Sequence, residues 1–183
     1  MRALRFFAYF FILSRYIGQA VGGEFNMQCP QSNPRANIFD ASRLSDDSRI
    51  AIEKRSGDDP VILAFYRQNQ AGCSRSVFAR YSIEGGEPFV ESLFFYRIDG
   101  KVNVLVIVSW QINNRGEETY GKLYQIYAYY IKFDGSIVEN SLVSDDDHMT
   151  GIDGVEQGQE SKFQYKTAAG VKRYLKNKKY VAP

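Results

Sequence analysis

Apolar and polar residues alternate along the middle of the chain, over residues 89–112, with the period of two that is typical of β-strands. The dipeptide Asp99-Gly100 divides this stretch and favours the positive φ angles of a tight hairpin turn. Pairing Ile98 with Lys101 sets the register of the two strands. Residues 104–108 are apolar on both faces, so this segment is predicted to be a central strand.

A second hairpin is predicted directly after the first. An aromatic strand over residues 122–133 reaches the dipeptide Asp134-Gly135, and the chain returns over residues 136–143. Val138 and Leu142 are expected on the face that carries Tyr127 and Tyr129. Residues 61–66 and 76–83 are predicted as two further strands, and four consecutive antiparallel strands in the second half would form a meander.

The two ends of the chain show different patterns. Ser45 has the residue type of an N-cap, and residues 45–55 carry acids first and bases last, which predicts a helix. Residues 168–176 predict a second short helix with a basic last turn, residues 144–158 a long loop and residues 161–165 a last strand. The expected fold class is α+β, mainly antiparallel β, with a meander sheet and one short helix near each end of the mature chain.

Residues 1–22 have the order of a secretory signal peptide: two early arginines, an apolar run over residues 6–13 and small residues after it. The run is too short to span a membrane. Residues 23–183 are therefore predicted to be a single exported domain with no membrane association after cleavage. The precursor has a net charge of +2, but three of its arginines lie in the signal. The mature chain is then slightly acidic, which argues against binding to nucleic acid.

Cys29 and Cys73 are the only cysteines of the chain. An even count in an exported protein predicts one disulfide bond between them. A reactive cysteine is the alternative, and it would need a basic partner, for which His148 is the single histidine available.

Catalytic and cofactor-binding motifs are absent from the sequence, so neither an enzyme nor a cofactor or metal is expected. The acidic run of Asp145, Asp146, Asp147 and His148 is interpreted as a solvated loop, with partner binding as the functional alternative and a metal site as a weaker one. Tyr124 and Tyr130 are predicted to face outward and to be available to a partner. A hydrolase built on unidentified carboxylates stays open as a further alternative.

The run over residues 151–160, the segment over residues 163–169 and the short basic helix that follows resemble small periplasmic immunity proteins of Gram-negative bacteria. Trp110 and the dipeptide Tyr120-Gly121 in the preceding meander add to this likeness. Such proteins are encoded beside antibacterial toxins of the type VI secretion kind. The resemblance implies a periplasmic inhibitor that binds one cognate protein toxin without catalysis. An envelope module that binds glycan or peptide through exposed aromatic residues is the main rival.

Overall fold

A computed structural model of the protein describes residues 28–178, so the predicted signal peptide lies outside the described residues. The first sheet has the strand order β1-β2-β3-β4. Its strands are β1 (Ile38–Asp40), β2 (Ser48–Lys54), β3 (Val61–Asn69) and β4 (Gly72–Tyr81). All neighbouring strands in it are antiparallel.

The second sheet has the order β10-β9-β7-β6-β5, and β8 also pairs with β7. Its strands are β5 (Pro88–Ile98), β6 (Lys101–Asn114), β7 (Thr119–Ile131), β8 (Ile137–Glu139), β9 (Thr150–Glu156) and β10 (Gln159–Ser161). The helices are α1 (Ser141–Ser144) and α2 (Ala168–Lys178). Antiparallel pairing throughout and the consecutive order of β5 to β8 confirm the predicted mainly antiparallel fold class and its meander.

The Asp99-Gly100 hairpin forms with the predicted register. Ile98 pairs with Lys101 and Phe94 with Leu105, and both turn residues have positive φ angles, 46° and 70°. The pairing slips by one residue between Val90 and Ser92. This bulge moves Val90 to the opposite face from the one that simple alternation predicts, and Val90 packs in the core between the sheets.

Two hydrophobic cores lie on the two faces of the second sheet. The first fills the space between the sheets, where Leu63 and Phe65 of β3 meet Val106 of β6 and Trp110. The second lies on the far face of the same sheet and is covered by α2. Its buried members include Leu105, Ile107, Ile126, Phe163, Val171 and Leu175. Because β6 faces a core on both sides, its run of apolar residues is explained, as predicted for a central strand.

The predicted helix over residues 45–55 is wrong, since this segment contains strand β2. Ile50 points into the core between the sheets, and Ile52 packs against the same core. Pairing with β1 on one side and β3 on the other satisfies the backbone groups of the segment. Sheet pairing therefore overrides the helix-like distribution of charges. A single 3-10 turn, Pro34–Ala36, precedes it.

The predicted loop over residues 144–158 is also wrong in part, because a 3-10 turn (Asp147–Met149) and β9 lie within it. The last strand, β10, comes earlier than the predicted residues 161–165. In the second hairpin, Val138 pairs with Tyr130 and Ile137 with Ile131. Ile137 therefore shares the core face of Ile131, and Val138 does not. Leu142 lies in α1 and is exposed.

Cys29 and Cys73 form the predicted disulfide bond, with their Cα atoms 4.9 Å apart. The bond attaches the segment that precedes β1 to the start of β4. The backbone N–H of Cys29 also donates a hydrogen bond to the side-chain oxygen of Gln68, at 3.0 Å. Disulfide bonds are typical of proteins that fold in an oxidising compartment.

Candidate functional site

The acidic run that was predicted to bind a partner does not form one uniform surface. Asp145, Asp147 and His148 are exposed, but Asp146 points inward and its side chain is only 4% exposed. Asp146 is also the N-cap of the 3-10 turn, where its carboxylate accepts a hydrogen bond from the backbone N–H of His148. The run therefore divides into one structural aspartate and three residues that stay available at the surface.

Asp146 connects this turn to helix α2. Its carboxylate accepts a hydrogen bond from the hydroxyl group of Tyr174, at 2.9 Å, and forms an ion pair with Lys178. Burial alone would raise the pKa of Asp146, but hydrogen bonds from Lys178, His148 and Tyr174 outweigh it and lower the pKa to about 2. Asp146 is therefore ionised over the physiological range and attaches the C-terminal helix to the sheet.

The two tyrosines that were predicted to face outward differ. Tyr124 is 7% exposed and stacks on Phe163, with ring centres 5.5 Å apart, so its predicted exposure is wrong. Helix α2 and the segment before it cover this face of the sheet, which the sequence pattern did not show. Tyr130 is half-buried, and the Nζ atom of Lys101 lies 4.5 Å from its ring centre.

Tyr130 lines a surface cavity of about 640 Å³ at one end of the sandwich. This hairpin-end cavity lies where the β1–β2 loop, the start of β6 and the β7–β8 turn meet. Its apolar lining consists of Leu44, Val102, Tyr130, Ile131 and Phe133. Its charged lining consists of Arg43, Lys101, Lys132 and Asp134.

The opposite end of β6 carries a different surface. Six exposed glutamates lie in or directly beside three turns there, and we call this set the acidic turn surface: Glu84, Glu87, Glu117, Glu118, Glu156 and Glu160. Gly158 donates a backbone hydrogen bond to the carbonyl oxygen of Glu118, at 3.0 Å, which joins two of the turns. Gly86 packs on the backbone of Gln111, which places the third turn beside the same end of β6.

Exposed apolar side chains accompany these glutamates. Ile83 is 53% exposed and precedes Glu84, Phe89 is 57% exposed and is the second residue of β5, and Tyr120 is 42% exposed and is the second residue of β7. The guanidinium of Arg115 lies over the Tyr120 ring. No site was predicted from the sequence at this end of the protein. The sequence contains only one indication of this surface, namely glutamates beside glycines in three turns that lie far apart along the chain.

Two features of residues 28–178 bear on metal binding and on acid catalysis. Within residues 28–178, no three His, Cys, Asp or Glu side chains converge as a metal site would require. Five carboxyl groups of this part of the chain have a displaced pKa, and in all five it is lowered: Asp40, Glu53, Glu91, Asp134 and Asp146. A carboxylic acid that donates a proton in glycoside hydrolysis needs the opposite displacement.

The described residues also bear on membrane association. No helix within residues 28–178 combines the length and the apolar character that crossing a membrane requires.

Comparison of the chain with models of protein families, with curated proteins and with solved structures finds no match, so the resemblance to immunity proteins stays a prediction.

Proposed function

We propose that the protein is a periplasmic inhibitor that binds the basic surface of one protein toxin through the acidic turn surface and acts without catalysis. The observation that carries the proposal is the combination at this end of exposed carboxylates, which form no ion pair within residues 28–178, with the exposed side chains of Ile83, Phe89 and Tyr120. Exposed apolar side chains with a polar surround are typical of protein interaction sites.

The glutamates of this surface are exposed, and two of them, Glu84 and Glu117, accept hydrogen bonds from the side chains of Ser82 and Asn114. None of its six glutamates takes part in the ion pairs seen within residues 28–178. Like charges on neighbouring turns repel one another and do not stabilise the fold. They would, however, raise the rate of encounter with a basic partner, and the apolar side chains would then contribute contact area after docking.

The exposed part of the acidic run offers a second contact region. Asp145, Asp147 and His148 lie on the face of the second sheet that α2 covers, and His148 lines one surface cavity together with Glu156 of the acidic turn surface. A toxin that engages the protein over this face would meet these residues, as the sequence analysis proposed. Asp145 and Asp147 do not line that cavity, so variants at these two positions can be compared with variants of the acidic turn surface.

The compartment and the lack of catalysis are part of the same proposal. The disulfide bond between Cys29 and Cys73 favours folding outside the cytoplasm. An immunity protein needs only affinity for its toxin, and its surface charges can supply specificity.

The test combines a protection assay with a binding assay. The full chain is expressed in cells that are exposed to the product of the neighbouring gene, and an inactive form of that product is used to measure binding. We expect protection that requires residues 1–22. The variant Glu117→Gln/Glu118→Gln/Glu156→Gln/Glu160→Gln should lower the association rate at low salt by about tenfold or more, because steering depends on charge.

The matched control is Asp145→Asn/Asp147→Asn, which removes two exposed acids from the other region. If only this control weakens binding, the acidic run is the interface and the acidic turn surface is not. Protection without a complex would contradict inhibition by binding. Retention of the protein on a glycan matrix, with no affinity for the neighbouring product, would favour the envelope module instead.

A further inference from the structure

The hairpin-end cavity has the dimensions and the lining of a small-molecule site. Its volume of about 640 Å³ lies within the range of ligand pockets in proteins, roughly 300–1,000 Å³. Leu44 and Ile131 are half-buried and pack against the core between the sheets, so the cavity opens onto the edge of that core. An apolar ligand in it would extend the core by covering these two side chains.

Three separate segments bring a cation to this cavity: Arg43 from the β1–β2 loop, Lys101 from the start of β6 and Lys132 from the β7–β8 turn. None of the three forms an ion pair with a residue of the described part of the chain. The one acid in the lining, Asp134, accepts hydrogen bonds from the N–H and the hydroxyl group of Ser136, at 2.8 and 2.6 Å. The cavity therefore presents more positive than negative charge.

Phe133 forms the outer wall of the cavity. Its side chain is fully exposed, with no packing against the rest of the protein to explain an apolar residue at this position. A ligand with an alkyl chain would give it a partner. The same ligand would need an anionic head group to complement Arg43, Lys101 and Lys132.

We propose that the hairpin-end cavity binds one fatty acid. Its alkyl chain covers Leu44 and Ile131 and contacts Phe133, and its carboxylate is held by the cations of the rim. The site is independent of the proposed toxin surface, because the two lie at opposite ends of strand β6. Each can therefore fail without the other.

The experiment uses decanoate below its critical micelle concentration and measures binding to the mature protein by isothermal titration calorimetry. We expect one saturable site per chain, and weaker binding of decanol by about tenfold or more, because the alcohol lacks the charge that the rim cations recognise. The variant Lys101→Glu/Lys132→Glu should lower decanoate affinity by about tenfold or more, and Phe133→Ser should also lower it. Phe133 and both lysines are exposed, so these variants are expected to fold.

The matched control is Lys54→Glu, an exposed lysine at the other end of the sandwich, which should leave decanoate affinity unchanged. Equal binding of decanol and decanoate, or unchanged decanoate binding by Lys101→Glu/Lys132→Glu, would overturn the proposal. Binding to vesicles of anionic phospholipid without binding to decanoate would point to a membrane surface and would also overturn it. A dimer that dissociates on the Phe133→Ser change would show that a second copy covers the cavity.

Discussion

Asn140 donates a hydrogen bond from its side-chain amide to the side-chain oxygen of Asn103, at 2.9 Å, and both residues are buried. The amide of Asn103 in turn donates to the carbonyl oxygen of Lys101. The side-chain oxygen of Asn140 accepts from the N–H of Leu142 and so caps helix α1. This buried pair connects the central strand β6 to the segment that follows β8. It orients the chain at the point where the meander ends.

Truncating either asparagine should destabilise the protein. Asn103→Ala and Asn140→Ala should each lower the free energy of unfolding by about 2 kcal/mol, because a buried amide loses its partner. The double variant should be less destabilised than the sum of the two, by about 1 kcal/mol, since the residues share one interaction. Urea denaturation measures all three. Asn113→Ala, at an exposed position, is the control and should change stability by less than about 0.5 kcal/mol.

Strict additivity of the two asparagine variants would contradict a direct interaction between them. A large effect of Asn113→Ala would instead show that truncating an exposed asparagine is destabilising by itself, so that the effects at Asn103 and Asn140 need not come from their hydrogen bond.

Local sequence signals predicted the first hairpin because Asp99-Gly100 determines both the turn and its register. The same reasoning failed at β2. Ser45 was expected to cap a helix with its side chain, but its carbonyl oxygen accepts a hydrogen bond from the hydroxyl group of Ser48. Ser48 is fully buried, and its hydroxyl also donates to the carbonyl oxygen of Ala41. These loop contacts, together with the pairing of β2 with β1 and β3, select the strand over the helix.

Strand β9 was missed because glycines interrupt its alternation. Gly154 lies opposite Gly121 of β7, and a Cβ atom at Gly154 would lie 2.8 Å from the Cα atom of Gly121. A Cβ atom at Gly151 would lie 2.8 Å from the Phe163 ring. Strand β7 and the Phe163 ring approach β9 so closely that residues 154 and 151 must be glycines. A strand of this kind shows no period of two, and its sequence resembles that of a loop.

The candidate sites were least predictable from the sequence. Among the three consecutive aspartates, nothing local marks Asp146 as the buried one, because its partners Tyr174 and Lys178 lie on helix α2. The acidic turn surface likewise depends on pairing between distant strands. Tyr130 was expected to face outward; it is half-buried and lines the hairpin-end cavity, which the sequence did not predict.

The low pKa of Asp146 predicts a specific loss of stability in acid. Its pKa in the folded protein is about 2, below the ordinary value of 3.8. A lowered pKa contributes stability that is present above the unfolded value and is lost as the pH falls through the folded value. The contribution should be about 2 kcal/mol and should disappear between about pH 4 and pH 2.

The measurement is urea denaturation of wild type and Asp146→Asn at several pH values. The difference in stability between them should be largest near neutral pH and should shrink towards pH 2. Asp147→Asn, at the exposed neighbouring position, should follow the wild type. A difference that does not change with pH would show that the Asp146 side chain stabilises α2 through packing and hydrogen bonding and not through its charge.

Both hairpin glycines should resist substitution. Gly100 and Gly135 have φ angles of 70° and 81°, a region that costs other residues roughly 1–2 kcal/mol. Gly100→Ala should cost about 1 kcal/mol, since its Cβ atom would meet nothing within 4 Å. Gly135→Ala should cost a similar amount, because its Cβ atom would lie 3.3 Å from the guanidinium of Arg67, which ends a flexible side chain and can move away. Thermal melts of both variants give the comparison.

Gly116→Ala is the control for these two variants. Gly116 does not have a positive φ angle, and its nearest neighbour to a built Cβ atom lies at 3.7 Å. The melting temperature of Gly116→Ala should match that of the wild type. Equal melting temperatures for all three variants would be inconsistent with the two turns as described.

Removing the disulfide bond should destabilise the protein substantially. Cys29 and Cys73 are separated by 44 residues, and closing a loop of that length is worth about 4 kcal/mol in the chain-entropy model. Cys29→Ala/Cys73→Ala should therefore unfold at a much lower urea concentration than the oxidised wild type. Wild type treated with a reductant should behave like the variant. If reduction leaves the urea midpoint unchanged, the bond does not restrict the unfolded chain in the expected way.

Removing the charges of the acidic turn surface should not destabilise the protein, whereas removing charges that form ion pairs within the fold would. Because its glutamates repel one another and have no ion-pair partner in the described part of the chain, Glu117→Gln/Glu118→Gln/Glu156→Gln/Glu160→Gln should melt at the same temperature as the wild type or higher. Added salt screens repulsion, so it should raise the melting temperature of the wild type more than that of the variant. A variant that melts lower than the wild type at low salt would mean that these carboxylates stabilise the fold. The acidic turn surface would then be structural, and the toxin interface would have to be sought at Asp145, Asp147 and His148.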